Sequence, residues 1–476
     1  MHLALELTRV EPSGHDARAR GDQRVAKGPD VVALAPGVVG AAGRLWRLAP
    51  ATRSLLDADR VRLGDGDLTA LDPLIGAGLL VPRFRPVAPA AARDTIDVVI
   101  PVRDDAAGLA RRLGELAGWR VTVVDDGSHD AGTVARLAAR AGAHLVRRDR
   151  AGGPGVARAD GARRVTRDVV WFLDADVSVG DAAAVARRLL AHLGDPRVAA
   201  VAPRVRGPGG PRARDAFERD HSPLDLGPRS GLVDPAGPVP FVPSACLLVR
   251  RELAADFDPQ LRVGEDVDWE WRLTAAGWRV RYDADVVVTH PARPSWSAWW
   301  RQRVSYGASL GPLARRHGAR TSPWRLGPTT RLAVAVVLAQ PAWAALEGAL
   351  LARRLGRTVP ELAPRARGRL VVRASGAAVA LARAAVRLLG PALVVLGRRR
   401  GLRVWVLGTL ARWRTGPRRV ADVPLGIADD TAATVGRWLG AARARSLAPL
   451  LPARAGRTRD VLGASAPLSA SAEPPS

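Results

Sequence analysis

Short apolar runs alternate with amphipathic stretches from Thr95 to about Gly318, and this alternation predicts strands separated by helices. Apolar runs of strand length occur at 96–102, 121–124, 143–147 and 169–173. Between them, apolar residues recur at helical spacing over 106–118, 131–141 and 156–166. Because helices flank the strands on both sides, the pattern predicts an α/β fold with a mostly parallel, doubly wound sheet.

Carboxylates stand where these predicted strands end. The first strand leads to Asp104, the second to Asp125 and Asp126, and the last to Asp174 and Asp176. In doubly wound sheets, ligands bind at the carboxyl ends of the strands. Residues two apart that leave a strand point to the same side, so Asp174 and Asp176 are expected to reach one Mg²⁺ or Mn²⁺ ion.

Loop aspartates also serve as helix caps, and each of these carboxylates has that alternative role. Asp130, which precedes the helical stretch over 131–141, is predicted to be an N-cap. A binding site is therefore indicated only by the joint placement of several carboxylates at one sheet edge. Such a cluster needs a cation or hydrogen-bonding hydroxyls to offset its repulsion.

Four motifs carry a resemblance to a known family, namely PVRDD, VDDGSHD, RDRAGGPGVARADGARR and FLDADV. Residues 95–310 resemble the nucleotide-binding half of a family 2 glycosyltransferase, which has the Rossmann-like GT-A fold. The resemblance implies a nucleotide-sugar donor and a divalent metal on its diphosphate. The nucleotide contacts that it implies are Pro101, Asp104, Asp125, Asp126, Asp174, Arg301 and Arg303. The metal ligands that it implies are Asp174, Asp176 and His290.

The acceptor half of the family is represented by residues 240–249, read as a strand, and by the element beginning Gly264-Glu265-Asp266. An inverting transfer needs a general base opposite the leaving diphosphate, and a carboxylate at a helix start is preorganised for that task. We expect Asp266 to be the base and Glu265 to orient the acceptor. The alternative is that both carboxylates only favour the helix N-terminus.

The resemblance assigns further roles to a glycine-rich loop and to a Trp/Arg-rich stretch. Gly152, Gly153 and Gly155 stand where the backbone approaches the nucleotide. In SWSAWWRQRVSYG, Arg301 and Arg303 are expected to neutralise the departing diphosphate. The tryptophans either stack on sugars or pack into the core or a membrane interface. Processive members carry Q-x-x-R-W here, and this chain departs from that pattern, which leaves polymerising activity open.

Composition adds a strong basic excess, with 72 Lys+Arg against 46 Asp+Glu and a net charge of +26. The excess indicates anionic partners or an Arg-rich genome, since Lys27 is the only lysine. Cys246 is the only cysteine, which excludes an intramolecular disulfide. The N-terminus turns polar too early for a secretory signal peptide, so we expect the catalytic part to lie in the cytoplasm.

The flanks divide into a polar segment over 1–35, a small unit over 36–87, a linker over 86–93, an apolar Arg-rich region over 325–450, and an Ala/Ser/Pro tail over 452–476. The unit over 36–87 resembles a winged-helix peptide-recognition domain. Together with the family 2 core, this layout resembles glycosyltransferases of the mycofactocin system. That resemblance implies glucose transfer from UDP-glucose to a peptide-derived redox cofactor, premycofactocin, with β-1,4-linked extension.

The C-terminal region is expected to associate with the cell membrane from its cytoplasmic side. The apolar run over 332–346 is short for a span, which needs ~20 residues. Over 370–397, Arg373, Arg383 and Arg387 interrupt the apolar pattern and favour an interfacial helix at anionic lipid. A soluble helical bundle is the alternative.

Three other functions compete with this interpretation. One is a cell-envelope transferase, such as a rhamnosyl- or glucosyltransferase, that makes polysaccharide or uses a lipid-linked acceptor. Another is a basic nucleic-acid-binding protein, although a carboxylate-lined sheet edge would repel phosphates without a metal. The third is a non-catalytic membrane scaffold, against which the full set of carboxylates argues.

Overall fold

The computed structural model describes residues 4–10, 23–27, 32–35, 38–41, 44–48, 60–63, 79–83, 87–327, 329–390, 392–410 and 421–454. The chain divides into two compact units. An α/β unit comprises chiefly Arg83–Ala292, and a helical unit comprises Arg293–Arg459 together with most of the N-terminal segment.

Strands make up the described part of the N-terminal segment. Their bounds are β1 Ala4–Val10, β2 Gln23–Lys27, β3 Val32–Ala35, β4 Val38–Ala41, β5 Arg44–Leu48, β6 Arg60–Leu63 and β7 Leu80–Arg83. They form two sheets, ordered β1-β5-β4-β3 and β6-β2-β7. The segment over 1–35, predicted to be poorly ordered, thus contains strands. Much of 36–87 lies outside the described residues, so the winged-helix resemblance stays a prediction.

An eight-stranded mixed sheet forms the centre of the α/β unit, with the order β10-β9-β8-β11-β14-β12-β15-β13. Its strands are β8 Ile96–Val102, β9 Val121–Asp125, β10 His144–Arg147, β11 Val169–Leu173, β12 Val198–Arg206, β13 Gly231–Leu232, β14 Cys246–Arg250 and β15 Arg279–Thr289. Neighbours from β10 to β11 are parallel, whereas β14 is antiparallel to both β11 and β12. The α/β class is confirmed, and the sheet is mixed.

Helices alternate with these strands. Their bounds are α1 Pro89–Thr95, α2 Ala106–Glu115, α3 Ala131–Arg140, α4 Pro154–Ala162, α5 Ala182–Ala191, α6 Ala213–His221 and α7 Glu265–Ala275. Helix α1 occupies the stretch predicted to be a linker, because a proline at its first turn and the alanines after it favour a helix. The strand predicted over 240–249 is shorter, since only Cys246–Arg250 is paired.

Two apolar layers cover the sheet. One contains Val98, Ile100 and Trp171 with the inward faces of α2, α3 and α5, and the other contains Val99, Phe172 and Trp269. Helix α4 lies very close to the strands, because a Cβ on Gly161 would come within 2.3 Å of Val99 Cγ1. This close packing fixes the start of α4 at the carboxyl edge of the sheet.

The helical unit contains long helices. Their bounds are α8 Trp296–His317, α9 Thr330–Val337, α10 Pro341–Thr358, α11 Pro364–Ser375, α12 Ala377–Leu389, α13 Ala392–Leu410 and α14 Asp422–Ala444. A short parallel pair joins β16 Arg325–Leu326 to β17 Ala453–Arg454. Helices α8 and α14 approach at glycines, since a Cβ on Gly311 would come within 2.0 Å of Gly440 O.

The helical character expected for 325–450 is therefore present in the described part of that region. Among the described residues, no helix combines the length and the apolar composition that a membrane crossing requires.

Candidate active site

The predicted carboxylates do meet at one edge of the α/β sheet, and each has defined partners. Asp126 follows β9, and its two carboxylate oxygens accept hydrogen bonds from Gly152 N and Gly153 N, both at 2.8 Å. Arg148 Nε lies 2.9 Å from Asp126 Oδ1. Gly153 has φ 97°, a left-handed conformation that glycine adopts without strain. Asp126 thus holds the glycine-rich loop against the sheet edge.

Asp125, the last residue of β9, is fully buried. Its Oδ1 accepts from Ser128 N at 2.9 Å, and its Oδ2 accepts from Arg147 Nη1 at 2.5 Å. These bonds fix the VDDGS turn, so the structure gives Asp125 a supporting contact within the loop. Its contact with a nucleotide stays a prediction.

Asp104 lies beyond β8 in an exposed position with φ 55°, which aspartate tolerates better than most residues. Its Oδ1 accepts from His129 N at 2.8 Å and lies 3.0 Å from His129 Nδ1. These hydrogen bonds to His129 lower the pKa of Asp104. Pro101, also expected at the nucleotide, pairs with Val124 inside the sheet. Asp130, by contrast, is the predicted N-cap, since it accepts from Thr133 N at 2.9 Å.

Arg158 links a carboxylate predicted for the donor side with one predicted for the acceptor side. It lies on α4, is 2% exposed, and donates from Nη2 to Asp174 Oδ1 at 2.6 Å and from Nη1 to Glu265 Oε1 at 3.1 Å. One buried cation therefore connects the loop after β11 with the start of α7. Arg158 was not predicted as a site residue from the sequence.

Glu265 and Asp266 lie in the first turn of α7, as predicted. Burial, followed by the adjacent charge of Asp266, raises the pKa of Glu265 to about 8 despite the contact with Arg158. Arg158 makes its shorter contact with Asp174, so we assign the ion pair to Asp174 and a largely neutral carboxyl to Glu265 near pH 7. A Cβ on Gly155 would come within 2.7 Å of Glu265 Cγ, so the glycine-rich loop packs directly on this side chain.

Asp266 is half-buried and is held by the segment that precedes β14. Its Oδ2 accepts from both Ser244 N and Ser244 Oγ, each at 3.2 Å. One turn further along α7, the fully buried Glu270 accepts from Val242 N at 2.9 Å, and burial raises its pKa well above the ordinary value. Helix α7 thus fixes residues 242–244 through two carboxyl groups, and it presents Asp266 at its N-terminal end.

Asp176 and His290 come together on the same side of the sheet. Asp176 Oδ2 lies 3.4 Å from His290 Nε2, and His290 Nδ1 lies 2.9 Å from Pro291 O. Donation from Nδ1 to that carbonyl would leave the Nε2 lone pair directed at Asp176. Asp174 and Asp176 occupy a turn after β11 rather than extended backbone, so the expectation that i and i+2 share a side does not apply to them.

This donor set fits a divalent ion with two protein ligands. Ligands at about 2.1 Å from Mg²⁺ stand about 3 Å apart when adjacent, close to the Asp176–His290 separation. Among the described residues, no group of three or more His, Cys, Asp or Glu is arranged to hold a metal. Mg²⁺ and Mn²⁺ commonly take the remaining ligands from diphosphate and water. Asp174, engaged with Arg158, stays a predicted ligand.

A second support reaches the Asp176–His290 pair from α2. Glu115 accepts from Ser178 Oγ and from Val179 N, both at 3.2 Å, and it also pairs with Arg112. Ser178 exchanges two backbone hydrogen bonds with Thr289, at 2.7 and 2.9 Å. The residues next to Asp176 and His290 are therefore connected to each other and to α2. Glu115 was also not predicted as a site residue from the sequence.

The two arginines expected at the diphosphate belong to the helical unit. Arg303 is 3% exposed, donates from Nε to Asp429 Oδ1 at 2.8 Å, and stacks on Trp299 at 5.1 Å from the ring centroid. Arg301 is exposed on α8. The buried ion pair gives Arg303 a structural function inside its own unit, and the diphosphate contact of both arginines stays a prediction.

Comparison with known proteins finds similarity to one family over the α/β unit. Residues 97–257 match the family model described as Glycosyl transferase family 2. Pre-mycofactocin glycosyltransferases from two strains of Mycobacterium tuberculosis, CDC 1551 / Oshkosh and ATCC 25618 / H37Rv, are each 40% identical to this chain over 292 residues. The match covers 60% of this chain and 61% of each relative, so the chain spans about three fifths of the length of these relatives.

Solved structures of glycosyltransferases are more distant. A mannosyltransferase from Pyrobaculum calidifontis, in complex with GDP-Man and Mn²⁺, is 19% identical over 75% of this chain and 89% of that one, with a TM-score of 0.40. Glucosyl-3-phosphoglycerate synthase from Mycobacterium tuberculosis is 21% identical over 49% of this chain and 85% of that one, with a TM-score of 0.35. The likeness rests on the family model and the curated relatives: residues 97–257 are similar to glycosyl transferase family 2.

Proposed function

We propose that this protein is an inverting, metal-dependent glycosyltransferase that moves glucose from UDP-glucose to a hydroxyl of a peptide-derived acceptor. The observation that carries the proposal is the network around Arg158. Its guanidinium joins Asp174, on the donor side, to Glu265, the neighbour of Asp266. Donor carboxylates and a candidate base therefore belong to one buried, hydrogen-bonded arrangement.

The transfer follows from the position of Asp266. Its carboxylate, held by Ser244 and by the first turn of α7, takes the proton of the acceptor hydroxyl. The acceptor oxygen forms a bond to the anomeric carbon as the bond from that carbon to the diphosphate oxygen breaks. Attack from the face opposite the leaving group inverts the anomeric centre.

The leaving diphosphate develops negative charge, which the site must offset. A divalent ion held by Asp176 and His290 would supply that charge stabilisation when bound. The amides of Gly152 and Gly153 donate to the carboxylate of Asp126, and this contact supports the expectation that the loop lies beside the nucleotide. Glu265, neutral at pH 7, is expected to donate a hydrogen bond to the acceptor and so orient it.

The acceptor class is proposed from the curated relatives, whose name refers to pre-mycofactocin. A chain of several β-1,4-linked glucose units is part of the same proposal. The competing acceptor is a lipid-linked or polysaccharide precursor of the cell envelope.

Calorimetric titration of UDP-glucose, with and without Mn²⁺, tests the donor half on the wild type and on Asp176→Ala. We expect binding that requires Mn²⁺ and that the substitution abolishes. Metal-independent binding, or binding unchanged in Asp176→Ala, would contradict the metal assignment. Other nucleotide-sugars in the same titration test the choice of glucose.

Product analysis tests the acceptor half. The wild type and Asp266→Asn are incubated with UDP-glucose, Mn²⁺ and either a peptide-derived acceptor or a polyprenyl-phosphate-linked acceptor. We expect a β-linked product on the peptide-derived acceptor only, and a loss of turnover in Asp266→Asn with donor binding retained. A product on the lipid-linked acceptor alone would support the envelope function instead.

A further inference from the structure

Helix α13 has an exposed apolar face that the rest of the described chain leaves uncovered. The other side of the helix is buried, and a Cβ on Gly408 would come within 2.5 Å of Ala382 O and Val386 Cγ2 in α12. The exposed apolar side chains are 38% to 79% exposed and comprise Val395, Leu402, Val406, Leu407 and Leu410. Clustered exposed apolar residues on a folded protein indicate a contact surface.

Arginines are interspersed with these apolar residues. Arg399, Arg400 and Arg403 are exposed on the same helix. The surrounding sequence contains no carboxylate at all, since residues 362–421 include fourteen arginines and no Asp or Glu. The local potential is therefore positive, and it comes from this stretch rather than only from the average composition.

Helix α11 also exposes arginines beside an apolar side chain. Arg365, Arg369 and Arg373 recur every four residues, and with Gly368 and Val372 they line an open concavity. Val372 is 73% exposed. Two helices of the acid-free stretch thus expose aliphatic and guanidinium groups side by side.

The chemistry of this surface selects one partner. A second copy of the chain, in a two-fold contact, would bring the arginines of α13 against each other without any nearby acid. Nucleic acid would account for the arginines but not for exposed valines and leucines, because stacking on bases requires aromatic rings. An anionic bilayer offers phosphates to the arginines and acyl chains to the aliphatic groups.

The structure also changes the interpretation of Arg373, Arg383 and Arg387, which were expected to lie on one interfacial helix. Arg383 and Arg387 of α12 pair with Asp430 of α14, and the Arg383 side chain is only 18% exposed. Arg383 therefore lies against a neighbouring helix, whereas Arg387 keeps half of its side chain exposed. Of the three predicted arginines, Arg373 and Arg387 are exposed, and Arg373 lies on the surface of α11.

We propose that α13 lies on an anionic lipid surface, with its valine and leucine side chains inserted at the acyl boundary and its arginines against lipid phosphates. Helix α11 supplies further phosphate contacts. The proposal is independent of the donor and acceptor assigned above, and it describes binding parallel to the surface.

Flotation of the full chain with phosphatidylcholine vesicles, with and without phosphatidylglycerol, tests the proposal. We expect binding that requires phosphatidylglycerol and weakens with salt. Replacing Arg399, Arg400 and Arg403 together with Gln should lower the partition coefficient on the order of a hundredfold, because each arginine near an anionic surface contributes about fivefold. A second variant, Leu402→Ser with Val406→Ser, should also bind less.

The matched control removes three exposed arginines from the α/β unit, Arg111, Arg140 and Arg164, with the same change in net charge. It should bind vesicles as the wild type does, and circular dichroism confirms that each variant is folded. Equal losses in the control and the α13 variant would overturn the proposal, because binding would then reflect total charge. A wild type that does not bind the vesicles would also overturn the proposal. This holds whether the chain dimerises through Leu402 and Val406 or binds single-stranded DNA through the same arginines.

Discussion

At the scale of the residue, Arg158 determines how the carboxyl groups of the site share their charge. It is buried with two carboxylates, and it lies closer to Asp174 than to Glu265. A buried ion pair is favourable only with good geometry, and a second carboxylate on the same cation adds repulsion. The site therefore contains one ion pair and one carboxyl group that resists ionisation.

This assignment predicts how stability depends on pH. Glu265 has a pKa of about 8 in the folded chain, above its ordinary value of 4.5, so the folded state holds the proton more tightly than the unfolded state. Its contribution to stability is fully present below the lower pKa and is lost as pH rises through about 8. Glu265→Gln should therefore gain stability over the wild type by a few kcal/mol between pH 5 and pH 8.

Thermal unfolding of both proteins across that pH range, without donor or metal, measures the effect. Glu252→Gln, at an exposed position of the same unit, serves as control and should follow the wild type. A constant difference between Glu265→Gln and the wild type from pH 5 to pH 8 would contradict the raised pKa.

Gly155 offers a second test, because it lets the glycine-rich loop pack on Glu265. In Gly155→Ala, the added Cβ would come within 2.7 Å of Glu265 Cγ and displace that side chain. We expect turnover to fall at least about tenfold, since small misplacements in a site are costly, while the fold is retained. Gly114→Ala on α2, where nothing lies within 4 Å of the new Cβ, should keep full activity. Steady-state kinetics compare the two, and equal activities would contradict the packing argument.

Single residues of the site were only partly predictable. Asp126, Asp176, Glu265 and Asp266 could be chosen because they end strands or begin a helix, where sequence pattern is informative. Arg158 could not, because one arginine among many in this chain carries no signal of its own. A usable hint was its place on one helical face with the small residues Gly155 and Ala162.

At the scale of the element, apolar periodicity located most of the α/β unit. Strands β8 and β11 have the predicted bounds, and β9 is one residue longer. The direction of β14 was not predictable, because its apolar sequence fits either orientation, and pairing with β11 and β12 decides it. The acceptor-side segment before β14 is held by α7 through side chains, a tertiary effect that periodicity does not report.

The loop after β11 depends on α2, and this predicts a role for Glu115 in positioning. Glu115→Ala removes the acceptor for Ser178 Oγ and Val179 N, and the turn that carries Asp176 loses its support. Outer contacts of this kind typically affect metal affinity about 10- to 100-fold. We therefore expect Mn²⁺ to bind the variant at least about tenfold more weakly in the presence of UDP.

Calorimetry with Mn²⁺ and UDP measures this affinity directly. Glu115→Gln retains one oxygen acceptor and should recover part of the binding, while kcat at saturating Mn²⁺ should stay near the wild-type value in both variants. Unchanged Mn²⁺ affinity in Glu115→Ala would show that the loop holds its geometry without α2.

At the scale of the whole molecule, the sequence predicts an α/β region over 95–320 and an apolar, Arg-rich helical region over 325–450, whereas the two compact units of the structure divide near Arg293. Each of the described apolar clusters lies within one of the two units. The clusters around the sheet contain residues of the α/β unit, and those of the helical unit are built from other residues, such as Leu355 and Ala382. Charge and hydropathy do not indicate which arginines form ion pairs, and the buried pair of Arg303 and Asp429 is an example.

Because the two units have separate apolar cores, we expect ligand binding and core mutation to change the unfolding of the two units separately. If UDP and Mn²⁺ bind the folded α/β unit as proposed, they should stabilise it by about 2.7 kcal/mol at about 100 times the Kd. Gly311→Ala should instead destabilise the helical unit, because the new Cβ would overlap Gly440 O. In differential scanning calorimetry, the ligand should raise one transition and the substitution should lower the other. Gly368→Ala, with open space around its Cβ, is the control for the substitution. A single transition that both changes move together would mean that the two cores unfold as one.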